Sequence, residues 1–321
     1  MSQGDHTEMS NAPIGIFDSG IGGLTILKAL IAALPHERFI YVADGARAPY
    51  GSKDSETVRR YALEITDFLL ERGVKTIVIA CTTASSVAAD AVRERAGWVP
   101  VFEVITQGTQ AVFDVLPDEL KILNEFGEPP RAARVALLGT TLTVKSGVYR
   151  KSVTELAKRL QLREPVFKEQ SCPLFVSLVD EGVWNGPLAD RTAKRYLAEI
   201  CAFHPDVVIL GCTHYPVLSE SIGKAVGADV HLTDSAFHIA RTVKAMLQRD
   251  SMLREGAGEG SLTFYSSDAP DTFREHAARF LDRAIDIVHH VELEPLENGS
   301  LLKRRAVNNG STREDNRVDA S

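Results

Sequence analysis

The sequence predicts an α/β protein with parallel β-sheets, and three observations lead to this prediction. Short runs rich in β-branched residues alternate with longer segments whose apolar residues recur every three or four positions, which is typical of β-α-β units. The alternation stops after about residue 116 and starts again at Val135, and 321 residues are enough for two domains. Two of the runs, 77–80 and 207–211, each end in a small residue followed by Cys-Thr.

The first half of the chain is predicted to contain four strands with helices between them. The strands are 14–17, 39–42, 77–80 and 99–104. Helical spacing of Leu24, Leu27, Ile31 and Leu34 predicts a first helix that ends before Pro35. A second helix carries an apolar face from Val58 to Leu69 and stops at Gly73, and an alanine-rich helix follows Cys81.

The second half is predicted to repeat this pattern after a loop. Residues 117–132 contain three prolines and mixed charge, which favours a loop or an inserted turn. The elements predicted after it are a strand at 135–139, a helix through Tyr149 and Leu156, a bend at 172–174 into a helix carrying Asp180 and Glu181, the strand before Cys212, residues 230–234, and helices up to about Val291. The segments around Cys81 and Cys212 are the one sign of internal repetition.

Composition and charge exclude several classes of protein. A content of 44% hydrophobic and 25% charged residues is ordinary for a soluble protein, and a net charge of −7 provides no basic surface for nucleic acid or an anionic membrane. No apolar run is long enough to span a membrane, and the first residues lack the core of a signal peptide. Four cysteines in a chain of this size argue against a disulfide scaffold, so we expect a reduced, cytoplasmic protein.

The glycine-rich segment 20–23 follows the first predicted strand and allows three interpretations. A dinucleotide-binding loop is one, with Asp44 at the end of the next strand, but the third glycine of that pattern falls at Thr25 and Asp18 would face a pyrophosphate. A tight turn without a ligand is the second. The third, which we favour, is a small-anion or amino-acid site, where backbone N–H groups bind a carboxylate and Asp18 binds an ammonium group or holds a catalytic proton.

The cysteines divide into two pairs. Buried cysteine usually acts as an inert small hydrophobe, which is our interpretation of Cys172 and Cys201. Cys81 and Cys212 instead follow predicted strands and precede hydroxyl residues, where a helix N-terminus is expected to lower the thiol pKa and make proton transfer near pH 7 feasible. His214 could tune Cys212.

Two alternatives for the second pair remain open. A metal site would use Cys212 and His214, but C-x-x-C and H-x-x-H pairs are missing. A Cys-His nucleophile needs only one cysteine, so it leaves the other unexplained.

Four segments in order resemble the cofactor-independent glutamate racemases of the aspartate/glutamate racemase superfamily. They are Phe17-Asp18-Ser19-Gly20-Ile21-Gly22-Gly23-Leu24, Pro49-Tyr50-Gly51, Ala80-Cys81-Thr82-Thr83-Ala84 and Gly211-Cys212-Thr213-His214-Tyr215-Pro216. The resemblance extends from about Ile14 to Ala240. It implies two α/β domains that enclose the substrate, with the first domain completed by the C-terminal part of the chain.

The resemblance implies a set of site residues. The family's two catalytic cysteines correspond to Cys81 and Cys212, and its substrate-binding pairs correspond to Asp18-Ser19, Tyr50-Gly51, Thr82-Thr83 and Thr213-His214. To these we add Asp18 and His214 as catalytic residues that assist the two thiols, Pro49, Thr140 and Thr143 as further substrate contacts, and Asp180, at the position of a family Glu, as a residue behind the site. Two positions depart from the family pattern, which usually has Asn at position 82 and Glu at position 180. The single hydroxyl of Thr82 predicts a weaker or water-mediated contact, because Asn offers both a carbonyl and an NH₂ group.

The domain organisation and function follow from the same resemblance. We expect two Rossmann/flavodoxin-like domains with parallel sheets and the active site in the cleft between them. The expected ranges are 1–11 for a flexible tail, 12–105 plus 218–291 for the first domain, 106–217 for the second, and 292–321 for a disordered tail.

The implied reaction is interconversion of L- and D-glutamate without pyridoxal phosphate, another cofactor or a metal, and it would supply D-glutamate for peptidoglycan. The expected partner is the small-molecule substrate, without nucleic acid or membrane, and a homodimer is one possible assembly. The alternatives are an aspartate or broader-specificity amino-acid racemase and a non-catalytic amino-acid-binding regulator.

Overall fold

The computed structural model describes residues 9–121, 131–254, 258 and 260–293, and the strands of these residues form two parallel sheets. The six-stranded sheet has the order β10-β9-β2-β1-β3-β4, and the four-stranded sheet has the order β6-β5-β7-β8. Every pairing between these neighbours is parallel. The predicted α/β class with parallel sheets is therefore confirmed.

The elements up to residue 115 build most of the first sheet and its helices. In chain order they are β1 (Ile14–Asp18), α1 (Leu24–Ala33), β2 (Phe39–Ala43), α2 (Ser55–Glu71), β3 (Thr76–Ile79), α3 (Thr82–Ala96), β4 (Val101–Glu103) and α4 (Val104–Val115). All residues of β1, β2 and β3 are buried, because helices cover both faces of a parallel sheet. The predicted elements of this half are confirmed.

The remaining elements build the second sheet and then return to the first. They are β5 (Arg134–Gly139), α5 (Thr141–Ser146), α6 (Val148–Arg159), β6 (Val166–Ser171), α7 (Leu174–Asp180), α8 (Pro187–Phe203), β7 (Val207–Gly211), α9 (Ser219–Val226), β8 (His231–Thr233), α10 (Ala236–Arg249), β9 (Leu262–Ser266), α11 (Pro270–Leu281) and β10 (Val288–His290).

The two sheets repeat one strand order, which explains the similar positions of the two Cys-Thr segments. β2-β1-β3-β4 in the first sheet corresponds to β6-β5-β7-β8 in the second. In each sheet the strand before the cysteine, β3 or β7, lies directly beside the first strand of its series. Ligands of such sheets bind beyond the carboxyl ends of the strands where the order reverses. Cys81 and Cys212 therefore occupy equivalent positions in the two halves.

Apolar packing joins the two halves. One hydrophobic cluster contains Leu27 and Tyr41 from the first half together with Leu138 and Phe175 from the second. Helix α4 packs against α3 of the first half and against α6 of the second half. In the described part of the chain, we find no helix that combines the length and the apolar composition needed to cross a membrane.

Three strands were not predicted. The region up to Val291 was expected to be helical beyond residue 234, but it contains β9 and β10, so this prediction is wrong. The Leu-Thr-Phe-Tyr-Ser composition of β9 is a strand signal in itself. β6 lies at the edge of the second sheet, and its polar sequence, with no fully buried residue, lacks the apolar run that predicts an internal strand.

The predicted domain ranges and tails also differ from the structure in detail. β8 pairs with β7 in the second sheet, although residues 218–291 were assigned to the first domain. Of the expected N-terminal tail, residues 9–11 are described and helical, and the Ser10 carbonyl accepts a hydrogen bond from Lys75. Residues 1–8 and 294–321 of the two predicted tails, and residues 122–130 of the predicted loop, lie outside the described residues.

Candidate active site

A cavity of about 630 Å³ lies between the two halves, at the carboxyl ends of their strands. Six of the predicted site residues line it, namely Ser19, Pro49, Gly51, Thr140, Asp180 and His214. The lining is completed by Gly20, Ala48, Ser52, Thr141, Pro173, Leu174, Val176, Ser177 and Tyr196. The other predicted residues are not part of the lining. They are Asp18, Tyr50, Cys81, Thr82, Thr83, Thr143, Cys212 and Thr213, and all of them are buried.

Cys81 lies directly behind one wall of the cavity. It follows β3 and caps the first turn of α3, where its Sγ accepts a hydrogen bond from the Ala84 N–H at 3.5 Å. Its thiol also donates to Ser19 Oγ at 3.6 Å, and Ser19 lines the cavity. Burial raises the pKa of the Cys81 thiol, and the nearby Asp18 carboxylate raises it further. The predicted lowering of the pKa is therefore wrong for Cys81, because these two effects exceed that of the helix N-terminus.

Cys212 lies behind a part of the wall that belongs to the second half, and it contacts a histidine. Its Sγ is 3.6 Å from Nδ1 of His214, whose Nε2 is 3.2 Å from Oδ1 of Asp180. Burial by itself would lower the pKa of His214, but the hydrogen bonds with Asp180 and Cys212 outweigh burial and hold the pKa well above 6.5. Asp180 is 47% exposed and lines the cavity.

The glycine-rich loop connects the surroundings of the two thiols. A Cβ atom on Gly22 would lie 2.3 Å from Nδ1 of His214, so the absence of a side chain allows the loop to contact the second half. In the first half, the Gly20 N–H donates to Asp18 Oδ2 at 3.0 Å. Asp18 Oδ1 is buried and accepts no hydrogen bond from the described residues. One segment therefore borders both cysteine environments and offers a free carboxylate oxygen.

Threonine hydroxyl groups from the two halves also contact each other beside the cavity. Thr83, in the first turn of α3, is 3.0 Å from the Oγ1 of Thr140, which follows β5. Thr140 Oγ1 is also 3.0 Å from Thr143 Oγ1 and caps α5. The predicted binding residues Thr83, Thr140 and Thr143 are thus brought together, and Thr140 alone of the three lines the cavity.

Part of the cavity wall was not predicted. Pro173, Leu174, Val176 and Ser177 belong to the start of α7, and Tyr196 belongs to α8. No motif marks these residues, so nothing in the sequence distinguishes them from the other residues of α7 and α8.

The fold and site define a class of protein: a two-domain α/β protein with one thiol at the equivalent strand end of each half and a shared cavity between them. Comparisons with known proteins agree with this class. The model of the Asp/Glu/hydantoin racemase family matches residues 22–242. A glutamate racemase of Geobacter metallireducens is 39% identical over 281 residues, which cover 88% of this chain and 97% of that protein. One from Thermus thermophilus is 43% identical, with coverage of 89% and 98%.

Solved structures show the same relationship. The glutamate racemase of Francisella tularensis, solved in complex with D-glutamate, has a TM-score of 0.78 at 34% identity and covers 89% of this chain and 99% of its own. A Thermus thermophilus glutamate racemase in complex with β-chloro-D-alanine has a TM-score of 0.73 at 38% identity, with coverage of 89% and 99%.

The chain belongs to the Asp/Glu/hydantoin racemase family. The resemblance seen in the sequence and the predicted enzyme class, an isomerase, are thereby confirmed, as is the two-domain fold with its site in the cleft.

Proposed function

We propose that this protein interconverts L- and D-glutamate by proton transfer between Cα and two cysteines, one on each side of the substrate. The observation that carries the proposal is that each of the two thiols contacts a residue that lines the same cavity. Cys81 contacts Ser19, Cys212 contacts His214, and both Ser19 and His214 line that cavity. The names of the similar proteins support glutamate as the substrate.

The family resemblance assigns L-glutamate to Cys212 and D-glutamate to Cys81. Cys212, as the thiolate, removes the Cα proton of L-glutamate, and His214, whose Nδ1 is 3.6 Å from the sulfur, assists it. The Cys81 thiol then donates its proton to the opposite face, which forms D-glutamate and leaves Cys81 as the thiolate. The reverse reaction uses the same groups in exchanged roles. Two groups are needed because a single base tends to return the proton to the face from which it came.

The polar atoms of the cavity suit an amino acid with two carboxylates. The free Oδ1 of Asp18 is the candidate acceptor for the substrate ammonium group. The hydroxyls of Ser19 and Thr140, which line the cavity, are candidate donors to the carboxylates. Closure of the two halves around the substrate would strengthen these interactions by expelling water.

The substrate assignment is tested with purified protein and the nearest alternative amino acid. Circular dichroism should show loss of optical activity from L-glutamate at a rate well above that from L-aspartate. Faster turnover of L-aspartate would make the protein an aspartate racemase, and turnover of neither substrate would favour a binding protein. We place the reaction in the supply of D-glutamate for peptidoglycan.

A further inference from the structure

Asp44 is a fully buried carboxylate that contacts three donors. It follows β2, and its Oδ2 accepts hydrogen bonds from Arg47 Nε at 2.7 Å and from the Tyr50 hydroxyl. Its Oδ1 accepts from Ser267 Oγ at 2.8 Å. Burying a carboxylate is costly unless it is paired and hydrogen-bonded, so this arrangement fixes the position of every donor. None of these side chains is among the site residues assigned above except Tyr50.

The Tyr50 side chain does not reach the cavity. It is 1% exposed, its hydroxyl is bound to Asp44, and its ring packs at 5.6 Å from the ring of Tyr61. The residues on both sides of it, Pro49 and Gly51, do line the cavity. The side chain therefore anchors the segment from the rear, and the backbone around it forms the wall.

The wall itself fits closely against the second half of the molecule. A Cβ atom on Gly51 would lie 2.5 Å from the Cβ of Thr140, so the backbone at Gly51 is in direct contact with that residue. A shift of the segment 48–52 by a fraction of an ångström therefore changes its distance from Thr140, which lines the cavity from the second half. Arg47 reinforces the anchor from the same turn, because it bonds to Glu64 of α2 and lies over the Tyr61 ring at 4.0 Å.

We propose that Asp44 is a positioning residue, which fixes the cavity wall 48–52 through the Tyr50 hydroxyl and so sets the affinity for the substrate without touching it. This proposal rests on the proposed function only for the identity of the substrate. A wall that is equally misplaced in the ground state and in the transition state weakens binding of both. Such a change raises KM and leaves kcat nearly unaffected.

Tyr50→Phe tests this directly, because it removes one hydroxyl and keeps the ring. We expect KM for L- and D-glutamate to rise about tenfold, as for loss of one hydrogen bond to a charged group, with kcat within about twofold of wild type. Asp44→Asn should raise KM as well. The double variant should be no worse than the more affected single variant, because both changes break the same link.

The matched control is Thr76→Val. Thr76 is buried in the same sheet, and its hydroxyl donates to Pro100 O at 2.8 Å, away from the cavity. This variant should keep the KM and kcat of wild type. An equal rise of KM in Thr76→Val would show that general loosening of the domain is responsible, and it would overturn the proposal. A lower kcat with unchanged KM in Tyr50→Phe would overturn it too, since the hydroxyl would then act in the chemical step.

Two further readouts separate this proposal from the proposed function. If wild type does not turn over glutamate, the function is wrong, and positioning is then judged from the Kd for D-glutamate by calorimetry and from a crystal structure of Tyr50→Phe. A weaker Kd, or displacement of residues 48–52 from Thr140 in the crystal, supports the proposal. The proposal is overturned if residues 48–52 are not displaced and, in addition, the Kd is unchanged or neither protein binds D-glutamate measurably.

Discussion

Cys212→Ser is expected to lower glutamate interconversion by at least about 10³-fold, the upper range for removal of a group that transfers a proton. Serine is close to cysteine in size, so the buried position after β7 stays filled and the fold survives. Its hydroxyl is a far weaker acid than a thiol, so it transfers protons much less readily near pH 7. Cys81→Ser should have an effect of similar size, because each direction of the reaction uses both cysteines. The measurement is kcat from both enantiomers by circular dichroism.

Cys201→Ser is the matched control for these variants. Cys201 lies on α8, and its thiol donates to Ala225 O at 3.1 Å, away from the cavity. We expect its turnover to equal that of wild type. Wild-type turnover in either Cys81→Ser or Cys212→Ser would contradict the two-thiol assignment.

Lys75→Met is expected to cause the largest loss of stability, about 3–5 kcal/mol, because it leaves a buried charge without its partner. Lys75 and Glu37 are 1% and 2% exposed at the side chain and are 2.6 Å apart. The Lys75 ammonium also donates to the carbonyls of Ser10 and Met252, both at 2.8 Å. This one group therefore ties the amino ends of the strands of the first sheet to the segments before β1 and after α10. Chemical denaturation gives the free energy of unfolding.

Lys224→Met is the control for this prediction. Lys224 pairs with Glu220 on the surface of α9 at 2.7 Å, and both side chains are more than half exposed. Exposed pairs contribute little, so a change below about 1 kcal/mol is expected. Removal of both buried partners in Lys75→Met/Glu37→Leu should recover part of the loss. A loss below about 1 kcal/mol for Lys75→Met alone would show that the buried pair is not a principal contributor to stability.

The parts of the fold that the sequence predicts correctly are those with strong local signals. β1, β3 and β7 are fully buried apolar runs, and the repetition around Cys81 and Cys212 anticipates the identical strand order of the two sheets. β6 and β10 lie at sheet edges, where short or polar sequences suffice, so their sequences carry little signal. The pairing of β8 with the second sheet depends on tertiary contacts, because a strand of three residues is too short to carry a local signal for its partner.

The site residues divide in the same way, into those with a local sequence signal and those whose properties arise only in the folded chain. Motifs predict the residues Asp18, Ser19, Cys81, Cys212 and His214, and the structure places them around one cavity or directly behind its walls. The raised pKa of Cys81 was not predicted, because it arises from burial and from Asp18, which comes from another strand. The role of Asp44 is also invisible in the sequence, since its donors Arg47, Tyr50 and Ser267 meet only in the folded chain.

The central claim is that two different thiols exchange protons with one substrate carbon from opposite sides. The most direct test starts from L-glutamate in D₂O and follows deuterium at Cα in each enantiomer during the first few per cent of the reaction. The claim predicts that the D-glutamate formed carries deuterium while the remaining L-glutamate does not, because the removed proton stays on Cys212 and the donated one comes from solvent-exchanged Cys81. Equal labelling of both enantiomers from the start, or unlabelled D-glutamate, would contradict it.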